Sequence, residues 1–511
     1  MTIDAAFHPQ SPPAPASTRT WLGLAVLALP TALLGLDVTL LYLALPALAA
    51  DLQPTSTQAL WIMDAYGFMI AGFLITMGSL GDRIGRRKLL MIGAVAFAGA
   101  SVLAAFSTSA EMLILARAAL GVAGATLMPS TLALISNMFH VPAQRALAIG
   151  VWATMFALGM AAGPLVGGLL LEQFWWGSAF LVALPIVAVL LVAGPVLLPE
   201  YRDPSGGRLD LISALLSLLA ILPGIYALKE AAKYGIDLSS ALAFAASAVL
   251  AVIFVRRQLT LPHPLLDVRL FSNRAFTVAL VILLFGLVSV GGIMLLVTQY
   301  LQLVAGFSPL VAGIWMGPPA LMMFIAGIAA PLMARKVQPG IVVGGALALS
   351  ALGYLLLSAL APTSGIAPLI TGFSLAYLGL GTIAALGTDL VVSTAPPARA
   401  GSASAMSEMV QELGIALGVA TLGSLTTFIY RREMFDALPS GLRVAEADAV
   451  TDSLARAYAV QATLPDGLFV AAQSAFVTGL NGAAMVAALI AASLAALSVL
   501  ALRHVAVPRT S

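Results

Sequence analysis

The chain has 511 residues, of which 61% are hydrophobic and only 9% are charged, and its mean hydropathy is +1.03. Soluble domains carry about 25% charged residues, so this composition excludes a water-soluble enzyme. The absence of cysteine excludes disulfides, thiolate metal sites and thiol nucleophiles. The composition therefore predicts an all-α polytopic membrane protein.

Apolar stretches recur along the whole chain and are bounded by charged residues or by proline and glycine. Each stretch is long enough to cross a hydrocarbon core of about 30 Å at about 1.5 Å per residue. The pattern predicts about fourteen membrane-spanning helices. Their predicted ranges are 21–46, 58–80, 88–107, 112–136, 146–170, 178–198, 209–228, 238–255, 276–301, 309–333, 339–360, 367–391, 403–428 and 471–502.

The lysines and arginines lie mostly in every second connection between these spans. With a cytoplasmic N-terminus, 17 of the 24 fall in tails and cytoplasmic loops. Six, including Lys229 and Lys233, fall in external connections, and Arg117 lies inside a span. The positive-inside rule then predicts a multi-pass protein of the cytoplasmic membrane with both termini in the cytoplasm.

Two cytoplasmic turns at corresponding places, 78–88 and 335–340, suggest that the two halves of the chain are related. Internal duplication is usual in secondary transporters, whose sites lie between the repeats. A second feature, the external loop 430–470, can be either a solvated loop or a short helical hairpin. The predicted units are a disordered cytoplasmic tail (1–20), an N-terminal six-helix bundle (21–198), an inserted helix pair (199–258), a C-terminal six-helix bundle (259–502) and a cytoplasmic tail (503–511).

Four carboxylates, Asp37, Asp64, Glu408 and Glu412, lie inside otherwise apolar segments. Each costs about 2.5–3.5 kcal/mol at the centre of a span, so each must be protonated, paired or in contact with water. A cavity shared by the four carboxylates and Arg117 favours a cationic ligand, and a carboxylate poised between burial and a nearby arginine can load and release a proton. The alternative is a buried aspartate–arginine pair that only fixes helix packing.

A glycine-rich, basic string follows the second span, with Gly78, Asp82, Arg83, Gly85 and Arg86 in order. As a positive-inside loop it needs no further explanation, but the ordered string resembles the signature cytoplasmic loop of the major facilitator superfamily. The resemblance implies that its glycines form a tight turn and that its charges tie helix ends together.

A string of small residues in the fifth span contains Gly159, Gly163, Pro164, Gly167 and Gly168. Small residues let helices approach closely, and proline frees a carbonyl and bends the helix. Taken alone, the string indicates ordinary packing. Following the first string, it resembles the fifth-span motif of antiporters.

The strings around Asp37, Asp64, Arg117, Glu408 and Glu412 resemble the fourteen-span drug:proton antiporter family, especially quaternary-ammonium and methyl viologen resistance pumps. The resemblance implies the major facilitator fold, with two six-helix bundles and an extra helix pair, and assigns these five residues to proton coupling or substrate binding.

The same resemblance implies export of hydrophobic, mainly cationic drugs by alternating access, with protons as the coupling ion and no other cofactor. The expected surroundings are small-molecule substrates and the lipid bilayer, with no nucleic-acid partner and a monomeric state. The alternative is an exporter of one endogenous metabolite or neutral antibiotic. An integral-membrane transferase is disfavoured because all four histidines lie in tails or loops and no metal motif is present, so we expect no enzyme and no metal site.

Overall fold

The structure is a computed structural model that describes residues 15–202, 210–261, 264–395, 400–439 and 441–502. Within these ranges the chain forms helices and no β-strand. The predicted tail 503–511 and residues 1–14 of the predicted N-terminal tail lie outside the described residues.

Among the described residues, fourteen helices are long and apolar enough to span a membrane, which confirms the predicted number. Two short helices, α14 and α15, stand between the last two of them. The bounds are α1 Thr18–Leu52, α2 Ser56–Ile84, α3 Arg86–Ala105, α4 Ala110–Met138, α5 Ala143–Gln173, α6 Ser178–Leu197, α7 Leu211–Tyr234, α8 Leu238–Thr260, α9 Arg274–Val304, α10 Pro309–Ala334, α11 Pro339–Leu357, α12 Ile366–Thr394, α13 Ser402–Ala437, α14 Val444–Asp452, α15 Leu454–Ala459 and α16 Leu468–Ala501.

The spanning helices pack as two bundles with a helix pair beside them. In the first bundle α1 packs on α5, and α2 and α3 pack on α4. In the second bundle α9 packs on α13, and α11 packs on α12 and α16. The bundles meet where α2 contacts α13, where α5 contacts α10 and where α1 contacts α9. The architecture is therefore the two-bundle fold with an extra pair, α7 and α8.

The extra pair packs on itself and on the seam between the bundles, because α7 contacts both α2 and α13. Each of its helices begins at an aspartate. Asp210 accepts hydrogen bonds from Ser213, and these bonds lower its pKa although burial opposes the shift. Hydrogen bonds from Ser240 to Asp237 lower the pKa of that carboxyl to about 2. Both side chains satisfy free N–H groups at a helix N-terminus, the ordinary role of an N-cap.

The loop 430–470 contains the hairpin formed by α14 and α15, so the helical alternative is the correct one. The end of the molecule with this hairpin is called the hairpin side. The opposite end, where α1 begins and α16 ends, is called the terminus side. α13 runs to Ala437, well beyond its predicted end at residue 428, and so carries its last two turns to the hairpin.

Candidate functional site

Asp37 of α1 and Arg117 of α4 form a buried ion pair. Asp37 Oδ2 lies 2.8 Å from Arg117 Nη1, and the two side chains are 12% and 2% exposed. The guanidinium also donates to the carbonyl of Ile62 at 3.2 Å and lies 4.5 Å from the centre of the Tyr66 ring. The first bundle therefore contains a cation that is held by a carboxylate, a carbonyl and an aromatic face.

Asp64 of α2 pairs with Lys229 of α7, a partner that the sequence analysis did not identify. Lys229 Nζ lies 3.0 Å from Oδ1 and 2.8 Å from Oδ2, and neither side chain is exposed. The predicted position of Lys229 in an external connection is wrong, because α7 continues to Tyr234 and keeps this lysine within the helix. From hydropathy alone, the predicted span ends at residue 228, because a lysine at the edge of an apolar stretch predicts the end of a membrane span.

Glu408 and Glu412 lie one turn apart on α13, facing the seam between the bundles. Glu412 is 6% exposed, and its backbone carbonyl approaches Gly67 of α2. No hydrogen bond or ion pair reaches either carboxylate from the residues that the structure describes. The second bundle thus contributes two carboxylates without a cation.

The expected single cavity shared by all four carboxylates is not what the structure shows. Asp64 is enclosed with Lys229 and separated from solvent, whereas Asp37 keeps a small exposed fraction. The physical reason is the second buried cation, which satisfies Asp64 without water. Among the described residues, no cluster of three or more His, Cys, Asp or Glu side chains could hold a metal ion.

The fifth-span string holds α5 against α1. A Cβ added at Gly159 would lie 2.0 Å from the carbonyl oxygen of Ala32, and one added at Gly163 would lie 1.9 Å from Thr39 Oγ1. Because Pro164 has no N–H, the carbonyl of Met160 one turn earlier is free. That carbonyl accepts a hydrogen bond from Thr39, at 2.9 Å, two residues beyond Asp37.

The same string reaches the second bundle on its other face. A Cβ added at Gly168 would lie 2.7 Å from the backbone of Leu310 in α10, and one added at Gly313 would lie 2.3 Å from the carbonyl oxygen of Pro164. Gly167 lies against Leu40 of α1. The string therefore packs α5 between α1 and α10, as close small-residue contacts between helices allow.

The first string forms the turn between α2 and α3. Arg86 lies 2.6 Å from Asp82, and the backbone of Gly85 has a φ of +113°, a conformation that favours glycine. A Cβ at Gly85 would lie 2.5 Å from Glu200, whose carboxylate accepts the backbone N–H of Arg87. Glu200 thereby links the turn to the segment that follows α6.

Two other members of the first string have looser surroundings. A Cβ added at Gly78 would lie 3.7 Å from the side chain of Pro129 in α4, which is an ordinary contact distance. Arg83 is exposed. The exposed guanidinium lies on the terminus side, where it is available to contact groups outside this bundle.

The hairpin closes the hairpin side through one buried carboxylate. Asp452 is 3% exposed and accepts the backbone N–H of Ser56 at 2.8 Å and its hydroxyl at 3.2 Å. Lys233 of α7 lies 3.0 Å away and Arg456 lies 3.8 Å away. Beneath the hairpin is a cavity of about 70 Å³. These contacts join the first bundle, the extra pair and the hairpin.

Two further hydrogen bonds join the bundles directly. Gln302 of α9 donates to the carbonyl of Leu43 at 3.2 Å, and Ser308 donates to the carboxylate of Glu172 at 3.0 Å. Both lie toward the hairpin side. In the described part of the chain, no side-chain hydrogen bond links the bundles on the terminus side. The polar contacts between bundles therefore define a state that is closed on the hairpin side.

The fold and the buried charges together define a class of protein. Two helical bundles meet at a seam lined by carboxylates, and one end of the seam is closed by breakable polar contacts. This is the construction of a membrane transporter that works by alternating access.

Residues 27–419 match the Major Facilitator Superfamily, and the chain belongs to this family. It is 43% identical over 491 residues to the multidrug efflux pump LfrA of Mycolicibacterium smegmatis, covering 95% of this chain and 97% of that protein. It is 34% identical to the methyl viologen resistance protein SmvA of Salmonella typhimurium, covering 88% and 90% of the two chains. Among solved structures, an inward-facing bacterial homologue of the human lysosomal transporter Spinster has a TM-score of 0.69 at 17% identity, covering 96% of this chain and 98% of that one.

Proposed function

We propose that the protein is a drug exporter of the major facilitator superfamily that expels hydrophobic, mainly cationic compounds in exchange for protons. The observation that carries this proposal is the distribution of buried charge. The four buried carboxylates outnumber the two buried cations, and the ion pairs of Asp37 and Asp64 leave Glu408 and Glu412 without a cationic partner. The relatives, a multidrug efflux pump and a methyl viologen resistance protein, support the substrate class.

The unpaired glutamates are the groups open to a ligand. A carboxylate without a partner in a low-dielectric seam persists only when it is protonated or faces water. A bound organic cation neutralises Glu408 and Glu412 as protonation does. Binding of the cation and binding of protons therefore exclude each other. This mutual exclusion is what exchange transport requires.

Asp37 gives a route by which a proton can alter the first bundle. Protonation removes its attraction for Arg117, which then keeps the Ile62 carbonyl and the aromatic faces of Tyr66 and Phe180. Because Thr39, on the same helix, holds α5 through Met160, a shift of α1 is transmitted to the helix that contacts the second bundle. Proton binding is thereby coupled to the contact between bundles.

The orientation follows from the distribution of Lys and Arg. We propose that the terminus side faces the cytoplasm and that the contacts of Asp452 close the external side. The protein then works as a monomer in the cytoplasmic membrane, without catalysis and without a cofactor other than protons.

The test is transport by the purified full chain in proteoliposomes. With an imposed proton gradient, we expect uphill movement of ethidium, benzalkonium and methyl viologen, accompanied by proton movement in the opposite direction. Uncharged drugs of similar size are the comparison set. Transport of the uncharged set alone would favour a neutral-compound exporter, and cation transport that is insensitive to the proton gradient would refute the coupling.

A further inference from the structure

The extra helix pair brings a lysine against an acidic and aromatic position of the first bundle. Trp61 and Asp64 are three residues apart on α2 and so lie on one face of that helix. Lys229 Nζ lies 2.8 Å from Asp64 Oδ2 and 3.7 Å from the centre of the Trp61 ring. The ammonium is therefore held by a carboxylate on one side and a ring face on another.

This combination is the one that recognises organic cations. An aromatic face attracts an ammonium group through its quadrupole, and the attraction grows when water is excluded. The adjacent carboxylate supplies the charge. Because the side chains of Asp64 and Lys229 are both fully buried, the lysine ammonium occupies a desolvated cation site.

We propose that Trp61 and Asp64 form a binding site for the cationic group of an organic ammonium or phosphonium ligand, and that Lys229 is a tethered competitor that holds this site until a ligand displaces it. This inference rests on the proposed function, because it concerns how a cationic substrate enters the same seam. It assigns the extra pair a part in ligand selection.

The position of Lys229 distinguishes it from the other buried cation. Arg117 belongs to α4, inside the first bundle, and it also donates to a backbone carbonyl. Lys229 is carried by α7, which lies outside both bundles and packs across their seam. A cation on a separate helix can leave its carboxylate without unfolding the bundle that supplies the carboxylate.

The packing around α7 places this exchange at the contact between bundles. Ile225, one turn before Lys229, packs with Phe68 of α2 and with Ala416 and Ala420 of α13. One turn after it, Lys233 meets Asp452 of the hairpin. Lys229 therefore lies between an apolar contact across the seam and the Lys233–Asp452 ion pair of the hairpin side.

The experiment compares binding of tetraphenylphosphonium to the purified full chain and to two methionine variants in lipid nanodiscs, by isothermal titration calorimetry. Lys229→Met removes the proposed competitor, whereas Lys233→Met removes the neighbouring ammonium on the same helix face and is the matched control. An occupant that holds a site more than nine-tenths of the time weakens the apparent affinity about tenfold or more. We therefore expect Lys229→Met to tighten binding by about tenfold or more and Lys233→Met to change it by less than about twofold.

A double variant shows where the gained affinity comes from. Lys229→Met combined with Asp64→Asn removes both charges of the pair and so leaves no unpaired buried charge. We expect this variant to lose the tighter binding of Lys229→Met. If it keeps the tighter binding, the gain comes from another site and the inference is wrong.

A measurement on the unaltered protein covers the case in which Lys229→Met does not fold. The chain has four lysines, of which Lys88 and Lys336 are exposed and serve as internal controls. We expect tetraphenylphosphonium to speed acetylation of Lys229 severalfold, measured by mass spectrometry, while the rates at the two exposed lysines stay the same. An unchanged rate at Lys229 while the ligand is bound overturns the inference.

The outcomes of these experiments distinguish the competitor role of Lys229 from the proposed function. Equal binding by the wild type and Lys229→Met, with transport of cations intact, refutes the competitor role and leaves the proposed function standing. Absence of cation binding and of cation transport in the unaltered protein refutes the proposed function as well.

Discussion

Replacement of Asp37 by asparagine separates the electrostatic role of this carboxylate from its role in packing. Asparagine has almost the same shape and keeps an oxygen that can accept the hydrogen bond from Arg117. It cannot carry the negative charge or exchange a proton. We expect the variant to fold, to remain in the membrane and to lose proton-driven export.

The size of the effect on stability follows from the surroundings of Arg117. Removing one partner of a buried ion pair costs about 3–5 kcal/mol. Asp37 is 12% exposed and Arg117 keeps the carbonyl of Ile62, so we expect about 3 kcal/mol for Asp37→Ala. Asparagine preserves a hydrogen bond to a charged group, a contact that contributes about 1.5–3 kcal/mol, so Asp37→Asn should cost only about 1 kcal/mol.

Two assays on the same preparations check both expectations. Thermal unfolding in detergent should rank the proteins as wild type, Asp37→Asn and Asp37→Ala in order of decreasing stability. In proteoliposomes, Asp37→Asn should lose uphill efflux of ethidium but keep downhill exchange of the same cation. Asp51→Asn is the matched control, because Asp51 lies near the hairpin end of the same helix and accepts a hydrogen bond from Trp176 at 2.7 Å.

Export of ethidium against its gradient by Asp37→Asn at the wild-type level would refute a role of this carboxylate in proton coupling. The expected stability ranking is refuted if asparagine destabilises the protein as much as alanine, because the hydrogen bond would then contribute nothing. Loss of transport in Asp51→Asn to the same extent would show that the assay reports general damage to α1.

Two further predictions concern the helix contacts. Gly159→Ala places a methyl group 2.0 Å from a backbone oxygen of α1. It should lower the stability of the protein, measured by thermal unfolding, by about 1–3 kcal/mol. The control is Gly150→Ala, which has open space around its Cβ and should leave the stability unchanged or slightly higher. Equal effects at the two glycines would contradict the close approach of α1 and α5. Asp452→Asn should loosen the hairpin, because it weakens the ion pair with Lys233. The reporter is a cysteine placed at Thr427, which lines the cavity beneath the hairpin, and its maleimide labelling should become about tenfold faster or more. Asp466→Asn, in an exposed part of the loop, should leave the labelling rate unchanged. Unchanged labelling in Asp452→Asn would mean that Asp452 does not hold the hairpin closed.

The number of spanning helices was predictable because each span must satisfy its own backbone in lipid. Each spanning helix therefore needs an apolar stretch of a minimum length, and that stretch is visible in the sequence. The ends of the helices were less predictable. α13 continues past Arg431 and Arg432, because polarity marks where lipid ends and not where a helix ends. The extended end of α13 is the part that meets the hairpin.

The buried residues were predictable individually, but their partners were not. The sequence placed Asp37, Asp64 and Arg117 inside predicted spans, and the structure joins Asp37 to Arg117. Lys229, 165 positions from Asp64 in the chain, gave no local signal of burial. Its spacing of four residues from Lys233, at the end of an apolar stretch, was the only hint that two cations share a helix face.

In the loop 430–470, the local sequence was compatible with the helices, but the burial of Asp452 depends on residues that are distant in the chain. The spacing of apolar residues allowed a helical hairpin but did not require one. Asp452 becomes a buried group only because the start of α2 and the end of α7 converge on it. No property of the loop sequence by itself separates this aspartate from the exposed acids around it.

The two lysines of α7 link closure of the hairpin side to occupancy of the first bundle. If opening that side separates α2 from the hairpin, α7 cannot keep Lys229 on Asp64 of α2 and Lys233 on Asp452 at once. Without a ligand, the partly exposed Lys233 pair should break first, because the Lys229 pair is fully buried. A cation that replaces Lys229 frees α7 to stay with the hairpin instead. Ligand binding would thereby select which contact breaks, and the extra helix pair would report site occupancy to the closed hairpin side.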